Sequence, residues 1–361
     1  MKILYGVQGT GNGHLTRARA MSKQLRILGV RVDYVFSGRQ AEKYFSMGDF
    51  GNWKCLDGLT FVIVKGKVKP IQTIFNAKPI QLLRDIRSLP VEDYDLVISD
   101  FEPVSAWAAR RKNIRCLGLG HQYAFDFPIP KKGDNILTRY IMRKFAPTNI
   151  SVGLHWYHFQ QPILPPIVET WRESVETQKN SMVVYLPFEN PSDIIALFQN
   201  FENFTFSYYG DFEEKKIIGN IQLNPISKEN FQIDLAKSNG VISNAGFELA
   251  SEAISLGKKL LVKPLHGQME QTSNAFALEK LELGIAANKL SARLVDKWLM
   301  EFEGRKVEYP NVAKEIAKWI VSGELDKMDD LIEKLWSETD SGNLKTFQPY
   351  KKQSLLMARN V

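Results

Sequence analysis

The sequence predicts an α/β protein with two doubly wound, Rossmann-like domains that face each other across a central cleft. Short apolar stretches alternate with amphipathic stretches along the whole chain, which is the pattern of βαβ units and parallel sheets. A length of 361 residues favours two domains over one. Pro162, Pro165 and Pro166 interrupt regular structure between two runs of the alternating pattern. Ligands of such folds bind at the carboxyl ends of the strands.

The first half of the chain reads as six strands and four helices. Apolar runs predict strands over 2–7, 31–37, 60–64, 94–99, 115–119 and 149–153. Apolar residues at helical spacing predict helices over 14–28, 71–88, 103–112 and 134–145.

The second half restarts the same pattern after the prolines. Its predicted strands cover 182–186, 204–209, 240–243 and 259–263. Its predicted helices cover 192–200, 228–237, 246–256, 268–283, 291–302, 311–321 and 326–336. We therefore predict a first domain over 1–160, a linker over 161–180, a second domain over 181–338 and a tail over 339–361.

Charge is divided unevenly between the halves. Residues 1–165 hold 24 Lys and Arg against 12 Asp and Glu, whereas residues 166–361 hold 23 against 28. A basic half could face an anionic membrane, an anionic substrate or nucleic acid, and ordinary solubility charge is the alternative. Basic segments with interleaved aromatic residues are missing, so nucleic acid is not an expected partner.

Cysteine usage and hydropathy bear on the compartment. The chain has only two cysteines, which suits a reducing compartment and argues against a disulfide framework or a zinc cluster. It has no run of 18 apolar residues. We expect a cytoplasmic protein, with peripheral contact at the inner face of the membrane left open.

A glycine loop follows the first strand. Gly9, Gly11 and Gly13 precede His14 at the start of a helix, where free N–H groups favour an oxyanion. A dinucleotide fingerprint would require glycine at the position of His14, so a nicotinamide site is disfavoured.

His14 is the candidate general base of this loop. Its unperturbed pKa of about 6.5 suits proton removal from a hydroxyl at neutral pH. Asp100 ends the strand over 94–99 at the same sheet edge and is the candidate orienting partner. The alternatives are a packed or capping role for His14 and helix capping by Asp100. Gly11 and Gly13 could contact an acceptor.

Three other polar residues at strand ends are acceptor-side candidates. Glu102 follows Asp100, and His121 and Gln122 follow the strand over 115–119. A simple turn role is the alternative for His121.

The block over 243–275 has the layout of a nucleotide-sugar site. It reads as strand, glycine turn, helix, strand and a polar loop that enters another helix. Gly246 opens the first helix, and the carboxylate of Glu252 lies six residues later. Glu270 and Gln271 follow the next strand. A solvated helix carboxylate is the alternative for Glu252, and a helix-start polar pair is the alternative for Glu270 and Gln271.

On these motifs the chain resembles the GT-B glycosyltransferases of the UDP-glycosyltransferase type. It is also similar to the bacterial N-acetylglucosaminyltransferase that makes the lipid-linked peptidoglycan precursor, and it most resembles a prokaryotic branch. The resemblance covers the Gly9–His14 loop, Asp100 and the 243–275 block. It implies a GT-B fold and a hexosyltransferase that inverts the sugar without a metal or a cofactor.

The resemblance also implies residue roles. Ala245 and Gly246 would present helix amides to the donor diphosphate, with Asn244 where the family often has a phosphate-binding histidine. Glu252 would hold the ribose, and Glu270 and Gln271 the donor sugar. In the same way, His14 matches the family's base and Asp100 matches its orienting aspartate.

One departure from the family pattern concerns charge. Glu248 stands beside the expected diphosphate and would repel it unless this side chain turns outward to solvent. The donor base is predicted to be uracil by family default, with thymine and guanine open.

Two other functions remain open at this stage: a nucleotide-sugar epimerase on the same fold, and a non-enzymatic binder of membrane or nucleic-acid surfaces. The acceptor is unknown, and a lipid-linked or membrane glycan is one candidate.

Overall fold

The computed structural model describes residues 1–44, 46–59, 63–64, 67–68, 78–134, 136–169, 175–342 and 344–351. Most of the predicted strand over 60–64, residues 71–77 of a predicted helix and residues 352–361 of the predicted tail lie outside these ranges.

The first sheet has six parallel strands in the order β3-β2-β1-β6-β7-β8. These strands are β1 (Lys2–Gln8), β2 (Arg31–Ser37), β3 (Trp53–Leu56), β6 (Leu96–Asp100), β7 (Cys116–Gly120) and β8 (Ile150–Gly153). A short antiparallel hairpin of β4 (Ile63–Val64) and β5 (Lys67–Val68) stands apart from it. The chain reverses its direction of winding between β1 and β6, and this switch point is where doubly wound sheets bind ligands.

The first sheet is accompanied by helices α1 (Asn12–Ile27), α2 (Pro79–Ser88), α3 (Pro103–Lys112) and α4 (Ile136–Phe145). A 3-10 helix over His121–Asp126 follows β7. The core between α1 and the sheet is apolar and fully buried, as at Ile3, Leu15 and Met21.

The second sheet repeats this architecture. Its order is β11-β12-β10-β9-β13-β14-β15, and the pairing is parallel except between β11 and β12. The strands are β9 (Gln178–Tyr185), β10 (Thr205–Gly210), β11 (Lys216–Ile218), β12 (Ile221–Pro225), β13 (Ser238–Ser243), β14 (Lys259–Val262) and β15 (Ile285–Ala286). Its switch point lies between β9 and β13, directly before the predicted phosphate helix.

The helices of the second half are α5 (Pro191–Phe198), α6 (Lys228–Lys237), α7 (Phe247–Ser255), α8 (Met269–Lys280), α9 (Ala292–Glu301), α10 (Val312–Ser322) and α11 (Met328–Ser337). All seven agree in type with the predicted helices. Strand β9 begins at Gln178, three residues before the predicted start of the second domain.

The predicted strands were too few. The sequence prediction missed β3, β5, β11, β12 and β15. In β12 the burial alternates along Ile221, Gln222 and Leu223 rather than running continuously, so a search for apolar runs does not find it.

Part of the predicted tail packs against the segment of the chain that connects the two sheets. Phe347 packs against Tyr157, and the Gln348 carbonyl oxygen lies 2.9 Å from His158 Nε2. Among the described residues, no helix is both long and apolar enough to cross a membrane.

Candidate active site

His14 and Asp100 meet at the switch point of the first sheet. Parallel pairing places Val7 of β1 opposite Asp100 of β6. His14 lies in the first turn of α1, two residues after its start, and Nδ1 of its ring is 2.7 Å from Asp100 Oδ1. The parallel register and the short glycine loop together bring residues 86 positions apart into hydrogen-bond contact.

This contact defines the role of each ring nitrogen. A carboxylate only accepts hydrogen bonds, so Nδ1 carries the hydrogen and donates it to Asp100. Nε2 then keeps its lone pair and can accept a proton. The His14 side chain is 12% exposed, whereas that of Asp100 is fully buried.

Arg17 completes the site, and the sequence reading missed it. Its Nε donates to Asp100 Oδ2 at 2.8 Å and its Nη2 to Asp100 Oδ1 at 2.5 Å. Burial by itself would raise the pKa of Asp100, but the charges and hydrogen bonds of Arg17 and His14 outweigh burial and hold this pKa below its usual value. Asp100 is therefore an anion fixed in place. Arg17 lies three residues after His14, and this helical spacing was the available signal.

Helix α7 begins at the matching edge of the second sheet. Gly246 is its N-cap residue, and no side chain caps the helix. The first-turn N–H groups of such a helix lack intrahelical partners and carry a partial positive charge. Ala245 is fully buried, and the Asn244 side chain donates to the Lys263 carbonyl oxygen at 2.9 Å.

Glu248 turns inward, so the outward orientation that would avoid repulsion of a diphosphate is not the one observed. It lies in the first turn of α7 and forms an ion pair with Nη1 of Arg17 across the two domains. Its side chain is 15% exposed. Gly13 makes room for it, since a Cβ atom at Gly13 would lie 2.6 Å from Glu248 Oε2. The positive charge of the buried guanidinium attracts the carboxylate.

Glu252 lies on α7 in a desolvated position. Burial, with the nearby charge of Glu169, raises the pKa of its carboxyl to about 7, although Lys228 acts in the opposite direction. Lys228 itself pairs with Glu169 at 3.5 Å. Glu252 is thus a carboxyl group poised between its neutral and charged forms near neutral pH.

Glu270 and Gln271 lie in the first turn of α8, and their side chains contact different parts of the protein. Nε2 of Gln122 lies 3.2 Å from both carboxylate oxygens of Glu270. A residue predicted to contact the acceptor substrate therefore contacts, across the two domains, a residue predicted to bind the donor sugar. Gln271 is buried, and its Oε1 accepts from the Leu265 N–H at 2.9 Å.

Two predicted acceptor-side residues lie inside the protein. Glu102 is fully buried, caps α3 by accepting from the backbone N–H groups of Val104 and Ser105, and accepts from the Ser37 hydroxyl. His121 is also fully buried. We therefore leave both residues out of the proposed acceptor contacts.

His121 belongs to an aromatic contact between the two domains. Its ring stacks on Phe247 with centroids 3.9 Å apart, and its Nε2 lies 2.6 Å from Asn274 Oδ1. Trp156 packs beside Phe247 and donates its indole N–H to the Ser251 hydroxyl at 2.8 Å. Burial of these rings holds the start of α7 against the first domain.

The site thus combines a histidine–aspartate pair, whose histidine lies in the first turn of α1, with the uncapped start of α7, which packs against the same turn. The sequence profile of glycosyl transferase family 1 matches residues 1–302, which is most of the chain. The chain belongs to glycosyl transferase family 1. It is accordingly a glycosyltransferase, and the two-domain architecture above is the GT-B fold.

Comparison with known proteins gives one sequence relative of this family 1 glycosyltransferase and several proteins that share its fold. An uncharacterised glycosyltransferase of Methanosarcina acetivorans is 29% identical over 139 residues, which span 37% of this chain and 35% of that protein. The structure of MurG from Acinetobacter baumannii superposes with a TM-score of 0.52 at 16% identity, covering 92% of this chain and 99% of that one. UGT89C1 of Arabidopsis thaliana, in complex with UDP, gives 0.56 at 11% identity, with 92% and 99% covered.

Proposed function

We propose that this glycosyltransferase moves a sugar from a nucleoside diphosphate sugar, in the first instance a UDP-sugar, to an acceptor hydroxyl with inversion at the anomeric carbon. The observation that carries the proposal is that His14, hydrogen-bonded to buried Asp100, lies in the turn of α1 that packs against the uncapped start of α7. A base and an anion site face each other, as a displacement of a diphosphate requires.

The acceptor hydroxyl would lose its proton to Nε2 of His14 as its oxygen attacks the anomeric carbon. The new bond forms on the face opposite the departing diphosphate, so a single displacement inverts the configuration. Asp100 stabilises the imidazolium that results, because its carboxylate already accepts the Nδ1 hydrogen.

The donor would lie along α7 and the start of α8. The backbone at Ala245 and Gly246, beside Asn244, would receive the diphosphate at the helix start. Glu252 would accept hydrogen bonds from the two ribose hydroxyls. Glu270 would accept hydrogen bonds from sugar hydroxyls, and Gln271 would donate through Nε2, because its Oε1 already accepts from the Leu265 N–H. UDP is the first choice because the structurally similar Arabidopsis protein was crystallised with UDP.

Charge that builds on the departing diphosphate would be offset by the start of α7 and by Arg17. Oriented dipoles and a buried cation can supply the stabilisation that a divalent ion supplies elsewhere. We therefore propose a metal-independent reaction without a cofactor. Transfer should persist at an unchanged rate after exhaustive treatment with EDTA. Loss of activity that Mg²⁺ or Mn²⁺ restores would contradict the proposed metal independence.

The acceptor would approach through the first domain. A cavity of about 180 Å³ reaches from Gln122 and Met269 at the cleft to Arg110 on α3. Gln122 forms part of its wall. A Cβ atom at Gly120 would lie 3.1 Å from Gln122 Oε1, 3.3 Å from Arg17 Nη2 and 3.4 Å from Asp100 Oδ1, so these three groups surround the same glycine. Gly11 and Gly13, on the loop before His14, would border the path of the acceptor to His14.

A lipid-linked or membrane glycan acceptor, and with it peripheral membrane contact, is supported by helix α4. Its Tyr140 is 60% exposed and Ile141 is 44% exposed, beside the basic residues Arg139, Arg143 and Lys144. Apolar and basic side chains on one exposed helix suit an anionic bilayer. Sedimentation with anionic vesicles should be lost at high salt and in the Tyr140→Ser/Ile141→Ser variant. Equal binding to neutral vesicles would contradict this proposal.

A thermal-shift series with UDP, TDP, GDP and ADP tests the donor assignment, since a ligand of the native state raises the melting temperature. Glu252→Ala should weaken the response, and His14→Ala should keep it. If Glu252→Ala binds the nucleotide as tightly as the parent protein, the donor assignment is wrong.

A further inference from the structure

Glu248 and Arg17 form a contact that the proposed reaction does not use. Arg17 belongs to the first domain and is fully buried, whereas Glu248 belongs to the first turn of α7 in the second domain. Two nitrogens of Arg17, Nε and Nη2, donate to Asp100. The third, Nη1, pairs with the Glu248 carboxylate. Nη1 is therefore the nitrogen of Arg17 that is turned toward the donor side.

The Glu248 carboxylate also lies between two helix starts. It is placed directly over Gly13 in the first turn of α1, where a Cβ atom would come within 2.6 Å of its Oε2. The N-cap residues of α1 and α7 are Gly11 and Gly246, which have no side chain with which to cap their helices. A carboxylate with a buried arginine and two positive helix ends around it occupies a place suited to an anion.

We propose that Glu248 is an internal competitor of the donor diphosphate, and that a phosphate oxygen replaces its carboxylate at Nη1 of Arg17 when the donor binds. This inference rests on the proposed function, because it takes the start of α7 as the diphosphate site. Arg17 keeps its two bonds to Asp100 throughout, so the exchange leaves the His14–Asp100 pair in place. The displaced Glu248 carboxylate moves toward solvent, away from the like-charged phosphate.

The exchange has a consequence for affinity. In the donor-free protein the Glu248–Arg17 ion pair must break before phosphate binds, so part of the binding free energy is lost. From its displaced position the Glu248 carboxylate still repels the diphosphate, although less than at close contact. Removing the Glu248 charge should therefore strengthen binding of nucleoside diphosphates and leave binding of the nucleosides unchanged.

The test is titration calorimetry of the full-length protein with UDP, TDP and GDP, and with the matching nucleosides. For the nucleotide that binds, Glu248→Gln should lower Kd about tenfold, which corresponds to about 1.4 kcal/mol. The nucleoside Kd should stay within about twofold. Glu279→Gln serves as the matched control, because it removes the same charge from an exposed position on α8. It should leave both values unchanged.

The outcomes of this titration separate failure of the proposed function from failure of the exchange proposal. If no nucleoside diphosphate binds either the parent protein or Glu248→Gln, the proposed function itself fails. If one binds the parent but its affinity is unchanged or weaker in Glu248→Gln, the exchange proposal is overturned while the donor site stands. Should Glu248→Gln fail to fold, Glu248→Asn offers a shorter neutral side chain with the same expected result. Arg17→Lys should lose the preference for diphosphate over nucleoside, and retention of that preference would also overturn the exchange.

Discussion

The pKa of Glu252 gives a prediction that connects stability and nucleotide binding through one residue. Burial and the charge of Glu169 raise this pKa from 4.5 to about 7. In the unfolded chain the carboxyl loses its proton near its ordinary value. Between these two pH values the folded protein therefore binds more protons than the unfolded chain, and stability falls as pH rises.

The size of this effect follows from the same values. Each pKa unit corresponds to about 1.4 kcal/mol, so the rise to about 7 corresponds to about 3 kcal/mol of lost stability above pH 7 as an upper limit. Glu252→Gln cannot ionise and should be more stable than the parent at pH 8. At pH 4.5 the parent carboxyl is neutral in the folded state, so most of that advantage should disappear.

Urea unfolding of both proteins at pH 4.5, 6, 7 and 8 measures this difference. A free-energy difference between Glu252→Gln and the parent that is independent of pH would refute the raised pKa of Glu252.

Nucleotide binding should show the opposite dependence on pH, because ribose hydroxyls donate to an ionised carboxylate. Nucleotide affinity of the parent should fall as pH drops below 7, and calorimetry in buffers of different ionisation enthalpy should detect proton release on binding. Glu252→Gln should bind weakly and without that release.

Three further substitutions test other contacts. Asp100→Asn keeps the shape of the side chain but removes the anion that supports the His14 base. The rate of transfer should fall by at least about 100-fold, and nucleotide affinity should stay within about twofold of the parent value. Transfer at the parent rate would exclude support of the base by Asp100. Gly13→Ala places a methyl group against Glu248 and should lower the free energy of unfolding in urea by about 1–3 kcal/mol. The new Cβ atom of the control Gly11→Ala would come no nearer than 3.9 Å to a neighbour, so this variant should lose little stability. Equal losses in the two variants would contradict the close approach of Glu248 to Gly13. Trp156→Phe loses the indole hydrogen bond between the domains and should cost about 1 kcal/mol by the same measurement, and an unchanged stability would show that this bond adds nothing.

Much of the site follows from the sequence because parallel sheets place strand ends at one edge. His14 follows the first strand and Asp100 ends the fourth of the parallel sheet, so their meeting requires only the doubly wound order. The start of α7 was predictable for the same reason, from the glycine turn after β13. Short edge strands such as β3 and β15 were missed because they carry little apolar periodicity.

The contacts between the domains could not be read from the sequence. Gln122 and Glu270 are separated by 148 positions, and Trp156 and Ser251 by 95. No local periodicity reports which face of one domain meets the other. Glu248 shows the consequence: as an isolated glutamate in a first helical turn it suggests a solvated side chain, and only the buried Arg17 of the other domain explains its inward position.

The central claim is that His14 removes the acceptor proton while the second domain holds the donor. The most direct measurement is incorporation of labelled sugar from the UDP-sugar into a lipid-containing cell extract, with the parent protein and His14→Ala assayed side by side at matched nucleotide saturation. We predict incorporation by the parent, a loss of at least about 100-fold in His14→Ala, and the same UDP affinity in both. Incorporation by His14→Ala at the parent rate would contradict the claim.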